Sequence, residues 1–323
     1  MIKGDIVEKR MLGRTGLDVS VLGLGGHTYP VGPEGFCTHE ARAGLVARLI
    51  EGGVNYFDTT WTNEVELLAD SFRRCGIGSG LRVSLQYVDG ISDPRWRDRL
   101  RGELEQRLRI MGYSRTPLFL MGVGNARPPY GEIAAALEAM TRLKGEGLIE
   151  NVGVSCHELS RFGDLADAIE RTDLIDYMLI RYNYKFSQAA DRLFAAAQSR
   201  NVGVVAMKVF CWDCGPDQWG RRISVFEPVT AGARNLHSPE AIAARESLRW
   251  ALSHPAVAAV VPAMNAMWEV DQNLKAVERL EGPVDTFGFD DYRDRLWEPE
   301  QLRRLAQSAE SAAIRERAAA LLG

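Results

Sequence analysis

The sequence predicts an α/β fold: a parallel (β/α)8 TIM barrel followed by a C-terminal helical extension. Three observations carry that expectation. Short apolar segments alternate with longer helical ones, eight of each. The apolar segments, such as Val202 to Lys208, lack a clean two-residue polar alternation, as a sheet covered on both faces requires. In Gly53 to Phe72 a short apolar strand ends on an acid, Asp58, before a polar turn and a helix rich in Leu, Ala and Glu. A polar residue at the carboxyl end of a barrel strand faces the catalytic mouth. Alternating βα units favour a parallel sheet, and eight of them favour closure.

The elements follow in order. Lys9 to Ser20 reads as a hairpin turning at Arg14-Thr15-Gly16, where Gly16 can take a positive φ. Val21 to Gly25 is the first barrel strand. Ala41 to Glu51 is helical, with Leu45, Val46, Leu49 and Ile50 on one face. Strands are then expected at Val54 to Asp58, Arg82 to Tyr87, Leu118 to Val123, Ile149 to Ser155, Ile175 to Arg181, Val202 to Lys208 and Ala256 to Pro262. The helices between and after them are expected from Glu64, over Pro94 to Met111, Glu132 to Lys144, Leu159 to Ile169, Gln188 to Ser199, Ala241 to Leu252 and Trp268 to Val277. Gly145-Glu146-Gly147 is a helix stop. Val209 to Pro239 is a long polar connection, of the length that is usually functional. The domain reading is therefore a barrel over residues 1–282 and a helical extension over 283–323 packed on it.

Composition narrows the function. With 46% hydrophobic and 25% charged residues the chain has the make-up of a globular protein. A net charge of −4 argues against a broad nucleic-acid surface. No apolar run reaches the roughly 18 residues that span a bilayer. The first ten residues, MIKGDIVEKR, carry no secretory pattern, and five cysteines suggest reduced thiols, so the expected location is cytoplasmic. The expected partner is a small-molecule substrate, with neither nucleic acid nor membrane.

Several motifs together resemble the aldo/keto reductase superfamily. The hairpin carries Leu12-Gly13-Arg14-Thr15-Gly16-Leu17-Asp18-Val19-Ser20, and Phe57-Asp58-Thr59-Thr60 matches the family's strand ending Phe-Asp-Thr-Ala. Lys144 to Ile149 with Val152-Gly153-Val154-Ser155, then Tyr182-Asn183, Met207-Lys208, and Val261-Pro262 with Gln272-Asn273 follow in the family's order. The resemblance implies that the hairpin plugs the bottom of the barrel. It also implies reduction of aldehydes or ketones by a nicotinamide, with a Tyr as proton donor, a Lys and an Asp tuning it, and a His orienting the carbonyl.

Three of those four side chains are replaced here. Asp58 stands, but the Tyr position holds Asn63, the Lys position Gln86 and the His position Gly122. Asn63 has no dissociable proton near neutrality, and such a proton donor contributes roughly 10²–10⁴-fold in rate. Without the lysine cation, Asp58 should resist ionisation, unless His27, His157, Arg181 or Lys208 becomes its new partner. Asp58, His27, His157 and Lys208 are the candidate acid–base set. Trp61, Asn63, Gln86, Tyr87, Gly122 and Arg181 are the candidate pocket walls.

On the cofactor side the resemblance points to Ser155 and Met207 for the nicotinamide and to Lys208 for the pyrophosphate. Asn265, Gln272 and Asn273 fall at the adenine end. Glu269 in that region would repel a 2′-phosphate, so NAD(H) is expected over NADP(H), and no nicotinamide at all if hydride transfer has been lost. Cys211-Trp212-Asp213-Cys214 is read as two reduced loop cysteines, since a closed zinc site needs four ligands; no metal is expected. Three readings stand at this point. One is an oxidoreductase acting on a small polar carbonyl, sugar-like or polyol-like compound. Another is a lyase, dehydratase or isomerase on the same barrel. The third is a non-catalytic nucleotide- or metabolite-binding protein.

Overall fold

The computed structural model describes residues 7–26, 38–77, 80–123, 130–210, 239–264 and 266–284, with Arg303, Gln307 and Ala319 beyond them. His27, Asn265, the Cys211–Cys214 pair and nearly all of the 283–323 extension lie outside the described residues.

The chain begins with an antiparallel hairpin, β1 (Lys9–Met11) and β2 (Asp18–Ser20), in which Lys9 pairs with Ser20 and Met11 with Asp18. Its turn is a short 3₁₀ segment, Gly13–Thr15, closed by Gly16 at φ 70°. The turn docks against the amino end of a later strand: the Arg14 amide donates to the Asn201 carbonyl at 2.7 Å, and Leu12 lies against Gly203. The bottom of the barrel is thereby covered by the hairpin.

Seven parallel strands follow: β3 (Tyr56–Asp58), β4 (Arg82–Tyr87), β5 (Leu118–Gly122), β6 (Val152–Cys156), β7 (Tyr177–Arg181), β8 (Gly203–Met207) and β9 (Val257–Val260), adjacent in chain order. Residues 21–25 close the sheet. The Gly23 amide donates to Val260 at 2.8 Å, the Leu24 amide to Tyr56 at 3.1 Å, and the Asp58 amide to Leu24 at 2.9 Å. This segment is thus hydrogen-bonded to β9 on one side and β3 on the other, and the eight-stranded barrel is complete.

Among the described residues, eight α-helices alternate with the strands: α1 (His39–Glu51), α2 (Thr62–Arg74), α3 (Trp96–Met111), α4 (Tyr130–Gly145), α5 (Phe162–Arg171), α6 (Asp191–Ser199), α7 (Pro239–Ser253) and α8 (Met267–Val277). Local chemistry sets their ends. The Thr38 side chain accepts from the Ala41 amide at 3.2 Å to open α1, and Gly112 at φ 71° ends α3. The expected helix from Gln188 divides in two, because Asn183 opens a 3₁₀ turn over Tyr184–Ala190 before α6 begins. At the amino end of α2, the Glu64 carboxylate accepts from the Trp61 amide at 3.3 Å and the Thr60 amide at 2.7 Å. Only that half of a capping box is made, because the Trp61 indole has no acceptor to offer.

Two apolar layers result. The larger lies between strands and helices and includes Phe57, Val83, Leu85, Phe119, Met178 and Ile180. The smaller fills the barrel interior with Leu12, Val19, Tyr56, Leu118, Leu120, Tyr177, Leu179, Val205, Met207 and Val261. Two tyrosine rings occupy the barrel axis, and glycines make room for them. A Cβ on Gly23 would lie 2.7 Å from the Tyr56 ring, and one on Gly153 2.4 Å from the Tyr177 ring.

Candidate active site at the carboxyl ends of the strands

Side chains on a strand alternate between its two faces, and register partners on parallel neighbours share a face. Asp58 pairs with Ser84, Gln86 with Leu120, Gly122 with Ser155, Ser155 with Leu179, and Arg181 with Met207. All of these face the barrel interior, which also holds Leu120, Leu179 and Met207. Asp58, Gln86, Gly122, Ser155, Arg181 and Met207 are therefore gathered around one mouth.

Tyr87 is not. It pairs with Met121 on the outward face, belongs to the outer layer, and donates its hydroxyl to Asp93 Oδ2 at 2.7 Å. Its expected place as a pocket wall is corrected by that alternation: one residue after an inward Gln86, the side chain must point at the helices. Cys156 likewise faces outward into the same layer.

Asp58 is the chemical centre. It is 6% exposed, and its Oδ1 makes no hydrogen bond to a described residue. Burial, then the Glu64 carboxylate, push it from the ordinary 3.8 up to about 8, against the opposing pull of the Ser84 hydroxyl and the Gly26 and Thr59 amides. Glu64 is itself buried, at 5% exposure. Two carboxyls thus share a dry pocket, and one of them keeps its proton at neutral pH. The groups acting most strongly on Asp58 include no imidazole, ammonium or guanidinium. The expected rise follows. The alternative, a new partner among His157, Arg181 and Lys208, does not, and His27 lies outside the described residues.

The remaining predicted residues fall on the rim. Trp61 is half-buried at the N-cap of α2, and Asn63 is exposed in the first turn of that helix. His157 is half-buried just after β6. Arg181 is buried, with its guanidinium 4.7 Å over the Phe186 ring. Lys208 follows β8 at φ 60°, a left-handed conformation uncommon outside glycine and concentrated at functional turns. Asn183 ties that turn down. Its Nδ2 donates to the Lys208 carbonyl at 3.2 Å, while its Oδ1 accepts from the Phe186 amide at 3.3 Å.

Gly122, where the resemblance places a histidine, has no room for one. A Cβ there would lie 2.1 Å from the Val88 carbonyl oxygen, because the chain leaving β4 crosses close over this strand end. The 3₁₀ turn that follows, Gly90–Ser92, presses on the same point. Gln272 and Asn273 are buried on α8, and Glu269 accepts from the Ala266 amide at 3.1 Å. Ser155 is buried on the inward face of β6, and Asn273 is buried beside Gln272 on α8. A hydroxyl and amides at these positions are of the chemistry that a polar ligand such as a nicotinamide dinucleotide would engage.

Sequence reasoning missed four residues around Asp58: Glu64, Ser84, Tyr177 and Tyr56. Ser84 was legible as a polar residue two positions before Gln86 on one strand, and hence on one face. Tyr177 was not, because only closure of the barrel brings β7 opposite β4.

The aldo/keto reductase family model matches residues 21–211. The chain belongs to that family. Its structure is similar to that of a Pseudomonas aeruginosa protein described as a "putative aldo-keto reductase", at 20% identity and a TM-score of 0.62, covering 87% of this chain and 98% of that one. It is also similar to the aldo-keto reductase AKR11C1 of Bacillus halodurans in its holo form, at 19% identity and a TM-score of 0.62, covering 90% and 97%. At such identities the likeness is one of fold. No curated protein matches the chain. Among the described residues of this family member, no helix is long and apolar enough to cross a membrane.

Proposed function

We propose that this aldo/keto reductase family member reduces a small polar carbonyl compound, sugar-like or polyol-like, using the neutral carboxylic acid of Asp58 as proton donor in place of a phenol. The observation that carries the reading is the buried, inward-facing Asp58, held protonated to about pH 8. A general acid works best when its pKa lies near the working pH, and burial of one carboxyl beside another is a known way to bring it there. No cation is needed beside a proton donor that is neutral before it acts.

A bound nicotinamide supplies the reducing equivalents. Ser155 and Met207 would hold its ring, Lys208 its pyrophosphate, and Gln272 and Asn273, with Asn265, its adenosine. Glu269, fixed by its bond to the Ala266 amide, puts negative charge beside the adenosine end and favours NAD(H) over NADP(H). The roles of the chain's own groups follow from their placement. Asp58 protonates the oxygen of the carbonyl. Glu64 keeps that proton on Asp58 until it is needed. Arg181, His157 and Trp61 on the rim orient a hydroxylated substrate.

Fluorescence titration with NADH and NADPH tests the cofactor, with tighter NADH expected. Turnover of polyhydroxylated aldehydes and ketones tests the acid, with kcat lowered roughly 10²–10⁴-fold in Asp58→Asn. Undiminished reduction by Asp58→Asn would remove Asp58 from the mechanism. Turnover that needs no nicotinamide but does need Asp58 would move the chain to the lyase or isomerase reading.

A further inference from the structure

We infer that Ser84 and Tyr177 form a two-hydroxyl chain running Tyr177→Ser84→Asp58 once Asp58 ionises, which positions the carboxylate and sets how readily the acid gives up its proton. The inference rests on Asp58 being the proton donor, but it concerns residues that none of the family's motifs includes.

The geometry is built into three strands. Ser84 is the register partner of Asp58 on the neighbouring strand, and both face inward. The Ser84 Oγ lies 3.2 Å from the Tyr177 hydroxyl across the barrel, from β4 to β7, with both residues fully buried. The seat of the Tyr177 ring is prepared, since Gly153 leaves the space that a side chain would take from it. A chance contact would not need an empty position on a third strand.

Proton counting fixes the direction. Burial first, and then the neighbouring Tyr56 phenol, hold Tyr177 well above the usual phenol range, so it keeps its proton and can donate it. An ionised carboxylate can only accept. Ser84 has one proton. With Asp58 ionised, both hydroxyls of the Ser84–Tyr177 pair find acceptors only if Tyr177 gives to Ser84 and Ser84 gives to Asp58. The groups facing Asp58 are then Glu64 from α2, Tyr56 from its own strand, Ser84 from β4 and Tyr177 from β7. Glu64 opposes loss of the proton, and the hydroxyl chain favours it. The chain therefore sets how readily Asp58 gives its proton up, and is not merely filler in the barrel axis.

The test measures the Asp58 ionisation midpoint without substrate or cofactor. Its carboxyl carbon resonance is titrated in the whole protein and assigned by its loss in Asp58→Asn. Ser84→Ala should raise the midpoint by about one pH unit, a tenfold tighter hold on the proton. Tyr177→Phe should raise it less, and Ser84→Thr, which keeps the hydroxyl, should leave it near the wild-type value. An unchanged midpoint in a folded Ser84→Ala protein would overturn the inference, as would a fall, which would mean that the chain runs from Asp58 toward Tyr177. Should Ser84→Ala fail to fold, Tyr177→Phe decides by the same sign. The outcome is separable from the functional reading: full turnover by Asp58→Asn would end the latter, while a raised midpoint in Ser84→Ala would still support the chain.

Discussion

Replacing Asp58 with Asn should stabilise the fold, and by an amount that grows with pH. Unfolded, this carboxyl ionises near 3.8; folded, it keeps its proton to about pH 8. Between those values the native chain binds one proton more than the unfolded chain. The free energy of unfolding therefore falls as pH rises, by about 1.4 kcal/mol per unit from this group alone. Over the four or so units concerned, the loss reaches about 6 kcal/mol. That is a large share of the roughly 5–15 kcal/mol that holds a domain together. Asparagine has the shape of the neutral acid and nothing to ionise, so Asp58→Asn escapes the loss. Denaturant titrations of both proteins at several pH values test this, because the other titrating groups cancel in the difference. The stability gap should be small near pH 4, widen steadily through pH 7, and level off above pH 8. A gap that stayed constant between pH 5 and 8 would mean that folding leaves the Asp58 ionisation unchanged, and the proton-donor argument would fall with it.

Further expectations rest on the neighbours of that acid. Glu64→Gln keeps an oxygen to accept from the Thr60 amide at the start of α2 but removes the repelling charge. The pH at which the gap to Asp58→Asn levels off should move down, and an unmoved one would show that Glu64 does not act on Asp58. Gly122→Ala would set a methyl 2.1 Å from the Val88 carbonyl oxygen. A loss of about 1–3 kcal/mol is expected, read from the denaturation midpoint, and wild-type stability would show that the β4 exit does not crowd this strand end. Tyr177→Ala would empty the barrel axis beside Gly153 and should cost about 3–5 kcal/mol by the same measurement. A cost below that of an ordinary surface change, about 0.5 kcal/mol, would contradict the packing described for the ring.

Much of the fold was legible in the residues. The alternation of apolar and amphipathic stretches marked all eight barrel strands, because a strand covered on both faces must be apolar throughout. Strand ends differ by a few residues, as at β6, expected from Ile149 and found over Val152–Cys156, with Ile149 making only an isolated bridge to Thr116. The division before α6 escaped notice because helical periodicity does not distinguish a 3₁₀ turn from the first turn of an α-helix. Of the site, one expectation was legible: Asn63, Gln86 and Gly122 fall where the family resemblance implies a phenol, an amine and an imidazole. So was the consequence that an acid without a cation should hold its proton.

The sequence alone thus determined the barrel and the strand that delivers Asp58, since these depend on local composition and order along the chain. Only the tertiary structure decided which groups surround Asp58. Tyr87 turns outward one residue after an inward Gln86, Glu64 reaches back from α2 into the Asp58 pocket, and Ser84 meets Tyr177 from 93 residues away. Facing and contact across a barrel depend on strand register, and register exists only once the sheet has closed.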